Sequence, residues 1–457
     1  MTRSTPETAP LADTSQATLD QLEALARQAL DEARQLGATQ AEASASDERG
    51  LSVNVRMGEV ESVERTRDRG VAVTVYFGKT KAQASTADLK PESLRRTVEM
   101  ACAIARHTEQ DEASGLADPD RLAGAPRDFD QWHPWAIEPD AAVVLALEAE
   151  AAGRGFDTRI SNSEGAAVST NAGLSVYANS HGFVGRERNT SHSISASLIA
   201  GQGESMQGQY WYTAALMASG LDSAEAVGRR AAERTLERLN PCSAPTGSFP
   251  VLFMPEVARS LVAHLVGAVS GSALYRKASF LVDAQGQRLL PEWVSIVERP
   301  HLQRGWRSGY FDADGVATTE SALISEGVLQ RYVLGTYSAR RLGLESTGNA
   351  GGVHNLEVSA NAEGFDAMVR GMSRGLVVTE LMGQGVNTVT GDYSRGAAGF
   401  WVENGELAYP VDELTIAGHL REMYAGIEAI GADVDARSAT AIGSVLIGRM
   451  MVAGGEG

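Results

Sequence analysis

Cysteine and lysine are scarce in this chain of 457 residues. Cys102 and Cys242 are its only cysteines, too few for a disulfide framework, and their scarcity fits a reducing cytoplasm. Lysine occurs only at Lys79, Lys81, Lys90 and Lys277, so Schiff-base or Ser–Lys chemistry would be confined to those side chains. The preference for arginine, with abundant Ala and Gly, matches a GC-rich codon bias. Long apolar runs are missing too. Ala141–Leu147 and Ser444–Ala453 are too short, or too interrupted by charge, to span a bilayer. Met1–Gln16 is polar and lacks an apolar h-region, so it reads as a fraying tail and not as a signal peptide. Basic charge is outweighed, 40 Lys and Arg against 58 Asp and Glu, for a net −18. That balance opposes non-specific binding to nucleic acid or to an anionic membrane.

What is present is enough apolar residue, 43%, to bury real cores over the two or three domains that the length suggests. Leu19, Leu22, Leu25, Ala26, Ala29, Leu30, Ala33 and Leu36 recur at helical spacing before Gly37. The period then changes to two. Leu51, Val53 and Val55, then Val71, Val73, Val75 and Phe77, alternate with polar residues, with a hairpin turn at Arg56-Met57-Gly58-Glu59. A helix from Pro91 to about His107 follows. Four prolines between 110 and 139 mark a connector, and 141–152 reads as a helix. From Thr158 to Ala200 short antiparallel strands are expected, with turns at Glu164-Gly165, Asn171-Ala172-Gly173 and His181-Gly182. A helix over 222–239 ends at the Pro-rich break 240–247. Beyond it come a strand over Pro250–Met254, a helix over Pro255–Val269, and strand-and-turn sequence in which Asn404-Gly405 is the clearest hairpin signal. A last helix is expected over about Thr415–Ile430. The fold class is therefore α+β: a mixed helix and antiparallel-sheet N-terminal region, then a mainly antiparallel β C-terminal domain. The organisation expected is a disordered tail over 1–17, an N-terminal domain over 18–240 with sub-regions 18–108 and 140–240, and a β-rich domain over 246–457.

Chemistry is harder to find. Zinc hydrolysis needs clustered ligands and a base beside the metal-bound water. None of the eight histidines is paired with another at helical spacing, and His-Glu never occurs. His264 stands alone on its helix. His181 and His192 are a weak cross-strand candidate for a metal or hydrolase site, and His419 with Glu422 would share the face of the last helix. Asp312-Ala313-Asp314-Gly315 opens like a calcium loop, but position twelve is Leu323, so a type I′-like turn is expected. No P-loop or dinucleotide fingerprint is present.

Three C-terminal segments nevertheless form a specific combination: Asp312–Gly315 through Leu329, then Ser346–Gly352, then Val386-Asn387-Thr388-Val389-Thr390-Gly391-Asp392-Tyr393-Ser394-Arg395-Gly396 continuing to Phe400–Gly405. Together they resemble the TldD/PmbA family of modulators and metalloproteases, and the Gly391–Phe400 run resembles its PmbA (TldE) branch. The order of elements fits from about residue 20 to the C-terminus. The resemblance implies a cytoplasmic two-part assembly. A TldD-type subunit carries an H-E-x-x-x-H zinc helix and a late cysteine ligand, and a PmbA-type partner completes a protease acting on peptides and unfolded polypeptide. In that register Val262, Ala263 and Gly267 stand where the catalytic branch has His, Glu and His, and no cysteine follows Cys242. The expectation is a subunit with no catalytic and no metal-ligating residues and no cofactor of its own, zinc residing in the TldD-type partner.

Contacts to an extended peptide, by strand addition to Gly-rich β segments, are expected at Asp392, Tyr393, Ser394 and Arg395, with His354 and Asn355 as further candidates. The rival expectation is a stand-alone homodimeric peptide-binding or topoisomerase/toxin-system modulator without proteolysis. A homodimer in isolation is compatible with either. Neither nucleic acid nor membrane is expected as a partner.

Overall fold

The computed structural model describes residues 15–454. Of the expected tail, residues 1–14 lie outside that range, and residues 15–17 form the first turn of helix α1, Ser15–Gln35. Then come strands β1, Gln40–Arg56, β2, Glu59–Phe77, and β3, Thr80–Thr86, and helix α2, Pro91–Ala105. After the connector come α3, Pro139–Arg154, the strands β4, Ile160–Asn179, β5, Val184–Ala200, and β6, Gln207–Ala215, and α4, Ala224–Glu237. The six strands form one antiparallel sheet in the order β3-β2-β1-β4-β5-β6.

Alternation decides which face the helices cover. Ala41, Ala43 and Ala45 on β1 pack with Ala26, Ala29 and Ala33 of α1, all at most 2% exposed. Alanine on both surfaces lets helix and sheet approach closely. Further along, Leu51, Val53 and Val55 meet α3 and α4. Those two helices touch at glycine: a Cβ on Gly228 would stand 1.9 Å from the Ala149 carbonyl oxygen. At the β1–β2 hairpin, Met57 and Gly58 both have positive φ, 54° and 83°, the geometry of a type I′ turn. The unfavourable φ of Met57 is held by Glu150, a buried carboxylate that accepts from both turn N–H groups at 2.7 Å.

Two expected turns are absent. β4 runs unbroken through Glu164-Gly165 and Asn171-Ala172-Gly173. β5 pairs with it from Ile160 to Ala178 and β1 from Ala166 to Asn179, and a bulge at Ser163/Gly165 absorbs the irregularity. Gly165, at φ 118°, is needed there because a Cβ would meet the Val55 carbonyl oxygen at 2.5 Å. The turn at His181-Gly182 is present between β4 and β5.

The C-terminal half holds β7, Gly247–Phe253, α5, Pro255–Ala268, α6, Gly271–Tyr275, β8, Ile296–Glu298, β9, Ser321–Ser325, β10, Val328–Leu329, α7, Thr336–Leu342, and β11, Leu356–Val358. It continues through α8, Phe365–Gly371, β12, Arg374–Met382, β13, Val386–Asn387, β14, Asp392–Glu403, and β15, Glu406–His419. It closes with α9, Leu420–Ala425, β16, Ile427–Ile430, β17, Thr440–Ala441, and β18, Val445–Ala453. A seven-stranded sheet contains β12-β7-β18-β15-β14-β13 with β16 beside β18, and a five-stranded sheet runs β10-β9-β8-β11-β17. Their shared core includes Phe253, Leu265, Leu323, Tyr393 and Trp401. The α+β class therefore holds.

The expected helix over 415–430 is instead the end of β15, one short helix and β16. Residues 415–417 are claimed on both sides by β14 and β18, and hydrogen bonds from two neighbours outweigh helical periodicity. At Asp312–Gly315 only Gly315 has positive φ, 79°, so the turn is type I closed by a left-handed glycine and not type I′.

Candidate functional site

The helices cover one face of the six-stranded sheet, and the other face is polar. On β1 it presents Glu42, Ser44, Glu48 and Ser52, and on β5 Glu187, Asn189, Ser191, Ser193, Ser195 and Ser197. C-terminal loops 306–313 and 350–354 lie over one end and close a cavity of about 610 Å³. A second hollow of about 530 Å³ continues along the same face, and Trp306 lines both. Phe311 anchors the covering loop against Phe183 and Tyr177. A Cβ at Gly185 would strike the Phe311 ring at 2.4 Å, so the glycine makes this seam possible.

The cavity walls hold carboxylates in different states. Glu42 accepts from the Tyr177 and Tyr76 hydroxyls at 2.7 and 3.0 Å. Burial pushes its carboxyl above the ordinary range despite those bonds. Burial, and then the neighbouring Asp314, push Asp312 up to about 7, against three backbone N–H groups, of Asp314, Val316 and Ala350, at 2.8–2.9 Å. Burial raises Glu187 as well, with His354 and Ser175 as moderating neighbours.

His354 reaches the cavity from a buried network. Its Nδ1 lies 2.8 Å from Glu298 Oε1, and its backbone N–H donates to the same oxygen at 2.6 Å. Asn349 Nδ2 donates to both Glu298 oxygens and Arg331 pairs with one. Burial alone would raise Glu298, but the hydrogen bonds from His354 and the charge of Arg331 hold it below the ordinary carboxylate range. A carboxylate on Nδ1 fixes the imidazole ring in the cavity wall.

The residues expected to contact peptide are divided. His354 lines the cavity. Asn355 is 4% exposed and ties loops together, donating to the Arg299 carbonyl and the Ser308 hydroxyl and accepting from Arg307 N–H. Asp392, Tyr393, Ser394 and Arg395 open β14, paired with β15 on one side and with β13 and Gly385 on the other. With both edges taken, no strand can be added there, and the side chains of Asp392, Ser394 and Arg395 are what the surface offers. Tyr393 is 1% exposed, packed edge-on to His264.

The helix implied to carry zinc in the catalytic branch is α5. Val262 is buried, Ala263 and Gly267 face outward, and none of the three can donate to a metal. His264 has a buried Nε2 without a hydrogen-bond partner, and burial lowers its pKa. Among the described residues no group of three or more His, Cys, Asp or Glu is arranged to hold a metal ion. One imidazole does not make a zinc site, so the donors on α5 do not fit the metal.

The weaker histidine candidates are engaged elsewhere. His192 bonds Thr170 through Nδ1 at 2.8 Å and the His133 carbonyl through Nε2 at 2.9 Å. His181 bonds the Ala117 carbonyl and Gln40. His181 lies in the turn between β4 and β5 and His192 midway along β5, opposite Thr170, so the two do not meet. His419 caps α9 from the end of β15, bonding Arg421 N–H and the Thr390 carbonyl, so it and Glu422 do not share a helix face.

Sequence reasoning passed over Glu42, Glu187 and Glu298. The period-two alternation of β1 placed Glu42 on the helix-free face and was signal enough. Glu298, Arg331 and His354 are 33 and 56 residues from partners that only folding supplies.

Sequence profiles of the PmbA/TldA metallopeptidase family match three stretches: domain 1 at residues 41–105, the central domain at 132–239 and the C-terminal domain at 246–454. The chain is 46% identical over 414 residues to Metalloprotease PmbA of Escherichia coli O157:H7, covering 91% of this chain and 92% of that one. It is 44% identical over 448 residues to a Metalloprotease PmbA homolog of Haemophilus influenzae, covering 97% and 99%. Among solved structures, a proposed modulator of DNA gyrase from Bacteroides thetaiotaomicron superposes with a TM-score of 0.90 at 27% identity, covering 95% and 99%. TldE from Thermococcus kodakarensis gives 0.82 at 20% identity, covering 94% and 100%, a likeness of fold alone.

Proposed function

Because the chain belongs to the PmbA/TldD metallopeptidase family, we propose that it is the zinc-free PmbA/TldE-type subunit of a cytoplasmic peptidase. In this reading a TldD-type partner supplies the zinc, and this chain holds unfolded peptide for it. The observation that carries the reading is α5, where Val262, Ala263 and Gly267 remove every donor and base that water activation needs, leaving His264 alone. The helix-free polar face supports the peptide-binding half of the proposal. Serine and asparagine side chains, half-exposed and regularly spaced, hydrogen-bond a backbone without selecting its side chains. His354, held by Glu298, and Trp306 are the contacts we assign in the covered part, and Asp392, Ser394 and Arg395 on the surface of β14.

The test is metal analysis and a peptidase assay on the purified chain, alone and with its TldD-type partner. We expect no stoichiometric zinc and no cleavage alone, and cleavage of an unfolded polypeptide with the partner. Tightly bound zinc with peptidase activity in the isolated chain overturns the proposal. The gyrase-modulator description of one structural relative favours a second reading, a modulator without proteolysis. Failure of the two proteins to co-elute at micromolar concentration selects it.

A further inference from the structure

Two charged groups on the walls of the 610 Å³ cavity lack ion-pair partners among the described residues. One is Arg307, whose side chain projects beside Gly352: its Nη2 lies 3.9 Å from where a Cβ would stand there. The other is Glu187, on β5, whose Oε1 lies 3.2 Å from the equivalent position at Gly309. Glu187 has the Ser175 hydroxyl and the His354 ring as neighbours, whereas Glu42 is engaged by two tyrosine hydroxyls and Asp312 by three backbone N–H groups. Next to Arg307, the loop 350–354 adds donors. Gly351 and Gly352 have φ of 90° and 112°, and the N–H groups of Gly351 and Val353 make no hydrogen bond among the described residues. Backbone N–H groups turned out by left-handed residues form an anion-binding concavity.

We propose that this cavity binds a short zwitterionic peptide, its α-carboxylate held by Arg307 and the Gly351–Val353 backbone, its α-ammonium by Glu187. A ligand bearing both charges leaves neither wall residue with an unpaired charge, which a neutral segment from the middle of a chain does not do. The volume lies in the range of small-ligand pockets and suits a peptide of about two to four residues, roughly 7–14 Å long when extended. The fixed ring of His354 stands in the same wall as a further polar contact. The inference deepens the peptide-binding reading by making the covered end of the groove a site for free chain ends, the form in which a peptidase releases its products.

Titration calorimetry on the full chain, without any partner, tests it with tri-alanine, N-acetyl-tri-alanine and tri-alanine amide. Tri-alanine should bind, and blocking either end should weaken it about tenfold or more. Arg307→Ala should remove the difference between tri-alanine and its amide while keeping the penalty of acetylation. Glu187→Gln should do the reverse. Equal affinity for all three ligands, no binding of tri-alanine at millimolar concentration, or variants that leave both penalties intact would each overturn the inference. Arg307 is exposed, so that variant retains the fold even if Glu187→Gln does not. Since no partner or proteolysis enters, failure here leaves the subunit assignment untouched, and failure of the protease assay leaves this site standing.

Discussion

Asp312 lets the buried electrostatics of the cavity be tested in one measurement. Its carboxyl is 4% exposed, and burial with Asp314 beside it pushes the pKa from 3.8 to about 7. For an acid raised on folding, the associated stability is fully present below about 3.8 and is lost as pH rises to about 7. A shift of about three units corresponds to about 4 kcal/mol, with a slope of about 1.4 kcal/mol per pH unit inside that window. Other groups titrate nearby, so the useful quantity is the difference in urea-unfolding free energy between the wild type and Asp312→Asn at each pH from 4 to 9. Asparagine cannot ionise, and its lost bond to the Ala350 N–H adds a constant that drops out of the slope. The wild type should lose about 4 kcal/mol relative to the variant between pH 4 and 7 and nothing further above 8. A flat difference would refute the reasoning. It would mean that three N–H donors outweigh burial and keep Asp312 ionised throughout.

Glu298→Gln should cost about 3 kcal/mol in the same assay, because Arg331 is left buried without its counter-charge; a loss below about 1 kcal/mol would contradict the network. Gly228→Ala should destabilise by about 3 kcal/mol or prevent folding, since its Cβ would overlap the Ala149 carbonyl; thermal melting reads it directly. Tyr393→Phe should be neutral, or stabilising by about 1 kcal/mol, because the hydroxyl is buried without a hydrogen-bond partner. If Tyr393 instead touches peptide, that variant weakens peptide binding with no change in melting temperature.

Local patterns were legible where one neighbour decides the outcome. The helices at α1 to α5, the I′ hairpins at Met57-Gly58 and Asn404-Gly405, and the alternation of β1 all follow from residues a few positions apart. The reading failed at Gly173 and at Thr415–Gly418, where glycines and helical spacing pointed to turns and a helix. Strands on both edges pair with Gly173 and with residues 415–417, and local preference is overruled. Strand pairing also took the backbone of Asp392–Arg395 out of reach of a ligand, which no composition of Gly and polar residues reveals.

The sequence by itself determined the α+β class and the family, because residue periodicity and motif combinations survive without knowledge of which strands pair. Only the tertiary structure decided where the cavity lies and what charges it holds. Glu187, Arg307 and His354 share a wall because β5 and two loops more than a hundred residues later close over one another. Burial, the quantity that shifts carboxyl groups such as Asp312 and Glu187, has no local sequence signature.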